Sequence, residues 1–471
     1  MNLIEAFLVQ VAARPDEPAI ITATGKIHTY AQLSQRSAAR AWAMAAAGIG
    51  QGDTVLVARG VSPELYETLL AIFRLGAVAM FPEPAAGLKG LVLAVEAVRP
   101  KGIVTTSLGR LIRSFTPELR KLKLLPDPVS REPTAELVNP TPGDAAALIT
   151  FTSGSTGRPK GIVRSVDFLM RQHRLLEALR QTQPTDTDLI SLPVFILSNL
   201  ACGATSVIPA GRLTRPAELD GARLRQQIKS HGVNRIIAPP AVCARIALEA
   251  EPMAGLRAIF TGGGPVFPNL LHGLARTAPN AAIHAVYGST EAEPIAHVEI
   301  KEISTADWEA MASGRGLLAG KPIPEISVEL RDNEVFVAGL HVNDGYLNPA
   351  DDASTKSRHA GRLWHRTGDA ARIDEQGRLW LLGRKEAASG GLFPFAVETA
   401  ALSWPGVTHA ALLAGHGQAK LAVAGKQLNL ADLNVRLARL GDIELVELKA
   451  VPMDKRHNSK ADYARLRKMI G

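Results

Sequence analysis

Cysteine is almost missing from this chain. Cys202 and Cys243 are the only two in 471 residues, far apart and without partners at ligand spacing, so neither a disulfide framework nor a zinc site is supported. Both are expected to be small buried hydrophobes. Aromatic residues make up 5%, too few for the interleaved stacking surface of a nucleic-acid binder. The net charge of +8 does not alter that reading. Lys and Arg are spread along the chain, and their densest cluster is the tail "DKRHNSKADYARLRKMI". An enzyme that handles anionic small molecules accounts for the excess as well. No apolar run reaches the roughly 18 uninterrupted residues of a membrane span. The first twenty residues carry Glu5, Arg14, Asp16 and Glu17 where a secretory leader would be apolar. A cytoplasmic protein is expected, with no nucleic-acid partner and no membrane span. Internal repeats and low-complexity tracts are also lacking.

What is present is an ordinary globular composition, 46% hydrophobic and 21% charged, in a chain too long for one core. Helix and strand patterns alternate. "AARAWAMAAAGIG" reads as a helix ending at glycine, "DTVLVAR" as a short strand, "SPELYETLLAIFRLG" as a helix with Ser62 as N-cap, and "AVAMFPE" as a strand. The rhythm returns at "GVNRIIAPP", "LRAIFTGGG" and "AAIHAVYG". The fold class is therefore α/β, with helices covering largely parallel sheets. From about Val328 short strands and turns take over, "SVELRDNEVFVAG" and "ARIDEQGRLWLLGR", which read as hairpins or a small barrel. The last 85 or so residues hold one strand pattern, "THAALLAG", two helix patterns and the basic tail. They read as a separate small domain.

Three clusters carry chemistry. "TSGSTGRPKG", Thr152 to Gly161, follows an apolar run and combines three glycines, four hydroxyls and Lys160. Such a loop can bend its N–H groups onto a phosphate while hydroxyls and an ammonium add donors. The P-loop spacing does not fit, because Gly154 and Gly157 are too close and Lys160 is followed by Gly161. "AVYGSTEAEPIA" puts Tyr287, Gly288, Ser289, Thr290 and Glu291 at a strand end, where α/β sheets place ligand sites. "LWHRTGDAARIDEQGRLWLLGRK" offers Asp369, suited to a diol, and Arg384, suited to ribose or phosphate.

"TSGSTGRPKG", "YGSTE", "RTGD", "GRK" and a lysine near the C-terminus, in this order and spacing, resemble the adenylate-forming superfamily of acyl- and aryl-CoA ligases, adenylation domains and luciferases. "HTYAQLSQRSAARAWAMAAAGIGQGDTVLV" and "AIFRLGAVAMFPEP" resemble its early segments, so the likeness covers nearly the whole chain. It implies a large N-terminal domain, residues 1–385, of layered α/β subdomains plus a small β-barrel. A small mobile α+β lid, residues 386–471, follows it. The cofactors implied are ATP and Mg²⁺. Thr152, Ser153, Gly154, Ser155, Thr156, Gly157 and Lys160 would hold the β- and γ-phosphates. Gly262, Gly263, Gly264 and Pro265, with Tyr287, Gly288 and Ser289, would line the adenine side. Thr290 would touch phosphate or the substrate carboxylate, Glu291 would ligate Mg²⁺, and Asp369 and Arg384 would bind ribose. Lys460 would be the catalytic lysine that holds the attacking carboxylate and the developing charge, acting with Lys160, Thr290 and Glu291.

Within the superfamily, "LPVFILSNLACGATSVIPAGRLTRPAEL", "YGSTEAEPIAHVEIKEI" and "VPMDKRHNSKADYARLRK" resemble the olefin-pathway β-lactone synthetases and fatty acid CoA ligase-like relatives. Ile196 stands where thioester-forming members often carry His. The run from Asp454 to Lys460 is unusual for ordinary CoA ligases. After Lys385, "EAASGGLFPFAVE" is shorter than the usual segment and leaves Glu386 at the hinge position. The expected reaction activates a fatty or 3-hydroxy acid as acyl-AMP and then discharges AMP by β-lactone formation. The alternatives are thioester formation with CoA or a carrier protein, and a nucleotide-binding member with weak turnover.

Overall fold

The structure is a computed structural model that describes residues 2–83, 86–126, 136–153, 159–248, 251–414, 417–454 and 459–470, with backbone alone at residues 153 and 159. The chain forms two compact units. One comprises Met1–Ala210, His231–Val233 and Asn343–Lys356, the other Gly211–Ser230, Asn234–Val342 and Ser357–Gly471.

In the first unit the helix Tyr30–Ala46 starts from a capping box of Thr29 and Gln32 and gives way at Gly48, whose φ of 84° only glycine adopts without strain. The helix Pro63–Arg74 begins at Ser62, as expected, with the Ser62 hydroxyl accepting from Leu65 N at 3.4 Å. Apart from Glu64 this helix is buried throughout, and its Glu67 is neutralised by Arg40 at 3.1 Å. A six-stranded sheet runs in the order Lys123–Leu124, Gly102–Thr105, Thr54–Ala58, Val78–Phe81, Ala146–Ser153 and Pro159–Ser165. The first five are parallel and the last returns antiparallel. The near-continuous apolar runs of the parallel strands follow from burial on both faces. Leu56, Met80, Ile103, Ile149 and Phe151 form part of one core with the helix Gly87–Val98.

In the second unit the strands Arg235–Ala238, Ala258–Gly262 and Ala282–Ser289 run parallel. Ala292–Glu299 folds back on the last of them, and Leu317–Pro322, Leu379–Arg384, Arg362–Ile373, Glu334–Ala338 and Ser327–Arg331 continue the order, all antiparallel. Both expected hairpins are present. The smaller C-terminal part has three strands, Val407–Leu413, Ala419–Gly425 and Ile443–Glu447, where the sequence pattern suggested one. Ala419–Gly425 escapes a periodicity reading because it is central: Leu421 and Val423 enter one core, Ala422 and Ala424 another. The helices Pro394–Ala401 and Tyr463–Ile470 are joined through Glu398, whose Oε1 accepts from Tyr463 Oη at 2.6 Å and Leu412 N at 2.9 Å. Burial pushes this carboxyl up to about 7. Among the described residues, no helix is long and apolar enough to cross a membrane.

Candidate active site

Tyr287, Asp369 and Arg384 come from three different strands and meet. Asp369 and Arg384 face each other in register across Arg362–Ile373 and Leu379–Arg384. Tyr287 Oη donates to Asp369 Oδ2 at 2.9 Å, and Arg384 Nε lies 3.4 Å from Asp369 Oδ1. Thr367, which sequence reasoning passed over, fixes the group. Its hydroxyl accepts from Asp369 N at 3.1 Å and donates to Val335 O at 2.9 Å, and its carbonyl accepts from Arg384 Nη1 at 2.8 Å. Between them Gly368 has φ 74°, and a Cβ there would come within 3.2 Å of Arg384 Nη1, so the "RTGD" turn needs its glycine. Withdrawal from water, and next the Asp369 carboxylate, raises the Tyr287 phenol well above its ordinary range and keeps it a donor. Asp369 chiefly, with Tyr287, Glu291 and Glu386 adding, holds Arg384 more firmly charged than usual.

Thr290 and Glu291 form the two-residue turn between the paired Ser289 and Ala292, so Ser289, Thr290 and Glu291 sit at the same strand end as Tyr287. The Ser289 hydroxyl oxygen is buried with no hydrogen-bond partner among the described residues.

Gly262 ends the strand Ala258–Gly262, and Gly263 and Gly264 turn the chain. A Cβ on Gly264 would stand 2.6 Å from Ser459 Cβ. The turn before the last helix, which carries Lys460, therefore lies directly on the glycine segment. That turn is closed by Asp454, whose Oδ1 accepts from Ser459 N at 3.1 Å and Lys460 N at 3.0 Å, while Asp454 N donates to Lys460 O at 2.8 Å. Ser459 is buried and the Lys460 side chain is exposed. Residues 455–458, the middle of the unusual run, lie outside the described residues.

In the first unit, Thr152 pairs with Lys160 across the antiparallel strands Ala146–Ser153 and Pro159–Ser165. Gly154, Ser155, Thr156 and Gly157, and the Ser153 side chain, lie outside the described residues. Lys160 Nζ sits 5.4 Å from the Tyr346 ring centroid, a cation–π contact that no motif announced. Gly161 permits it, since a Cβ there would meet Leu347 Cβ at 3.0 Å and Phe151 Cε1 at 3.1 Å.

The two cysteines part company. Cys243 is buried, and burial pushes its thiol up to about 12. Cys202 is only half-buried, contrary to expectation, and it does have partners at ligand spacing. Its sulfur lies within 4.8 Å of candidate ligand atoms of His173 and Glu177. The one-turn spacing (i, i+4) of His173 and Glu177 on the helix Val166–Arg180, met by Cys202 at the end of Pro193–Cys202, creates the cluster. Glu177 is already engaged, accepting from Arg180 Nη2 at 2.6 Å and Ser198 Oγ at 2.9 Å.

Comparison with known proteins gives the family. Residues 7–347 match the family described as AMP-binding enzyme. A relative from Stenotrophomonas maltophilia, named olefin beta-lactone synthetase, is 30% identical over 92% of this chain and 89% of its own. A protein of the same name from Xanthomonas campestris pv. campestris is 30% identical over 82% of this chain and 77% of its own. In fold the chain matches the anthranilate CoA ligase AuaEII in complex with anthranoyl-AMP, with a TM-score of 0.84 at 16% identity over 100% and 97% of the two chains. It also matches a benzoate CoA ligase from Burkholderia xenovorans LB400, with a TM-score of 0.82 at 17% identity over 99% and 100%. With a family match over residues 7–347 and two relatives at 30% identity over 92% and 82% of its length, this chain belongs to the AMP-binding, adenylate-forming enzymes.

Proposed function

We propose that this AMP-forming ligase activates a 3-hydroxy fatty acid with ATP and closes it to a β-lactone. The observation that carries the nucleotide reading is the meeting of Tyr287, Asp369 and Arg384 in one hydrogen-bonded group. The Lys460 turn seated on Gly264 supports it. Asp369 would accept from the ribose hydroxyls, with Arg384 beside it as a fixed cation. Gly262 to Pro265 and Tyr287 would line the base. The unsatisfied Ser289 hydroxyl and Thr290 are donors of the kind a phosphate or carboxylate needs. Thr152 to Lys160 would hold the outer phosphates. Glu291, a hard carboxylate on a strand-end turn, suits Mg²⁺, which when bound would neutralise phosphate charge.

The substrate carboxylate oxygen attacks the α-phosphorus, and the bond to pyrophosphate breaks. Lys460 offsets the charge that builds between two anions. In the second step the 3-hydroxyl oxygen attacks the acyl carbonyl carbon, the bond to AMP breaks, and the hydroxyl proton leaves to solvent. The hydroxyl is tethered to its target, so no further substrate must be bound and oriented. Two observations favour this route over a thioester. Both relatives described above at 30% identity carry the lactone synthetase name. Ile196, where thioester-forming members often have His, is fully buried and apolar. Residues 386–471 would act as the lid that presents Lys460. An enzyme that consumes ATP in this way is placed in the cytoplasm.

The test is mass spectrometry on parallel reactions with 3-hydroxy and plain fatty acids, each with and without CoA. The expected product is the hydroxy acid less one water, formed with ATP and no thiol. A product that carries the mass of CoA, forms equally from plain acids, and requires the thiol would make the enzyme an acyl-CoA ligase.

A further inference from the structure

The helix Ser107–Phe115 is amphipathic in the wrong direction. Leu108, Leu111, Ile112 and Phe115 recur at the spacing of a helix stripe that normally meets a core. Here they are 66%, 55%, 40% and 79% exposed, and no residue of the helix is buried. The orientation is built in. Thr106 caps the helix by accepting from Gly109 N at 3.3 Å. Gly109 faces the body of the unit, since a Cβ there would fall 1.8 Å from Thr105 Oγ1. Arg113 Nη2 donates to Arg120 O at 3.0 Å and Leu122 O at 2.8 Å. These contacts hold the helix with its apolar stripe turned outward. Other large exposed hydrophobics fall one or two to an element, the ordinary scatter of a protein surface.

Charge selects the occupant. Between Ser107 and Lys123 stand Arg110, Arg113, Arg120, Lys121 and Lys123 against Glu118 alone. A second copy would bring these cations face to face. Arg113 and Lys123 donate to backbone carbonyls of the unit, but Arg110, Arg120 and Lys121 are exposed, and an anionic bilayer receives the apolar side chains at the acyl boundary and surrounds these three cations with phosphate. We infer that the helix Ser107–Phe115 lays this enzyme on anionic lipid surfaces as a reversible interfacial anchor.

The experiment sediments the purified full chain with vesicles of phosphatidylcholine, with or without phosphatidylglycerol. The chain should pellet with the anionic vesicles and be released in part by high salt. Leu111→Glu combined with Phe115→Glu should cut the bound fraction about tenfold or more, with thermal melting unchanged because both positions are exposed. Arg110→Glu with Lys121→Glu should abolish the preference for phosphatidylglycerol. Three results would overturn the inference: wild type left in the supernatant with anionic vesicles, the Leu111/Phe115 variant binding as wild type does, or a self-associated species in size-exclusion that this variant dissolves while vesicle binding persists.

Discussion

Lys460 combines a fixed backbone with an exposed side chain, because Asp454 closes the turn on both sides of it. Its charge can therefore be removed without disturbing the packing. Lys460→Ala should lower acid-dependent exchange between pyrophosphate and ATP by about 10² to 10³, the usual cost of one preorganised charge donor, with little change in stability. Exchange within a few-fold of wild type would remove the lysine from the chemistry. Glu291 is tested through metal. A magnesium ion takes few protein carboxylates, so Glu291→Gln should shift the rate to higher Mg²⁺ concentration, and superimposable titrations would show that it is no ligand. At this scale the motifs were informative about position: Asp369, Arg384 and Tyr287, singled out from separate segments of the sequence, meet in one hydrogen-bonded group. It was silent on Ser459, Thr367 and Tyr346, whose parts depend only on where folding brings them.

Elements raise a different question, that of a carboxyl the fold keeps dry. Glu398 ties the helix after the lysine turn to the helix Pro394–Ala401 through Tyr463, and burial lifts it to about 7. In the unfolded chain it would ionise in the ordinary carboxylate range. Between that range and about pH 7 the folded chain holds a proton the unfolded chain has lost, so stability falls as pH rises through the interval and levels off above it. At about 1.4 kcal/mol per pH unit the loss approaches about 3 kcal/mol. Glu398→Gln keeps the acceptor for Tyr463 and Leu412 and removes the titration. Melting temperatures from about pH 5 to about pH 8 should show wild type falling relative to this variant, and parallel curves would contradict the assignment. Elements with strong caps and long periodic faces were legible in the sequence, such as the helix that starts at Ser62. The strands Ala419–Gly425 and Ile443–Glu447 were not. The first is buried on both faces and shows no alternation; the second is five residues with two glutamates.

At the scale of the whole molecule, a nucleotide that engages Asp369 binds the folded chain and not the unfolded one. At about a hundred times its Kd such a ligand adds about 2.7 kcal/mol. With an unfolding entropy near 2.1 cal/mol/K per residue, a chain of 471 residues should melt about 3 °C higher. A non-hydrolysable ATP analogue in a thermal-shift assay tests this, and Asp369→Asn should abolish most of the shift. An undiminished shift in that variant would move the ribose elsewhere. The contact of Gly264 with Ser459 reaches further. Gly264 does not have the positive φ that excludes side chains, so only the 2.6 Å approach to Ser459 Cβ stands against a methyl group there. Two positions remote in sequence thus share room for a single carbon, and a change at either is read by the other. Gly264→Ala alone should lift the lysine turn and depress pyrophosphate exchange, while adding Ser459→Gly should restore it. The pair would then mutate as one site, with tolerance at each position set by the volume its counterpart leaves.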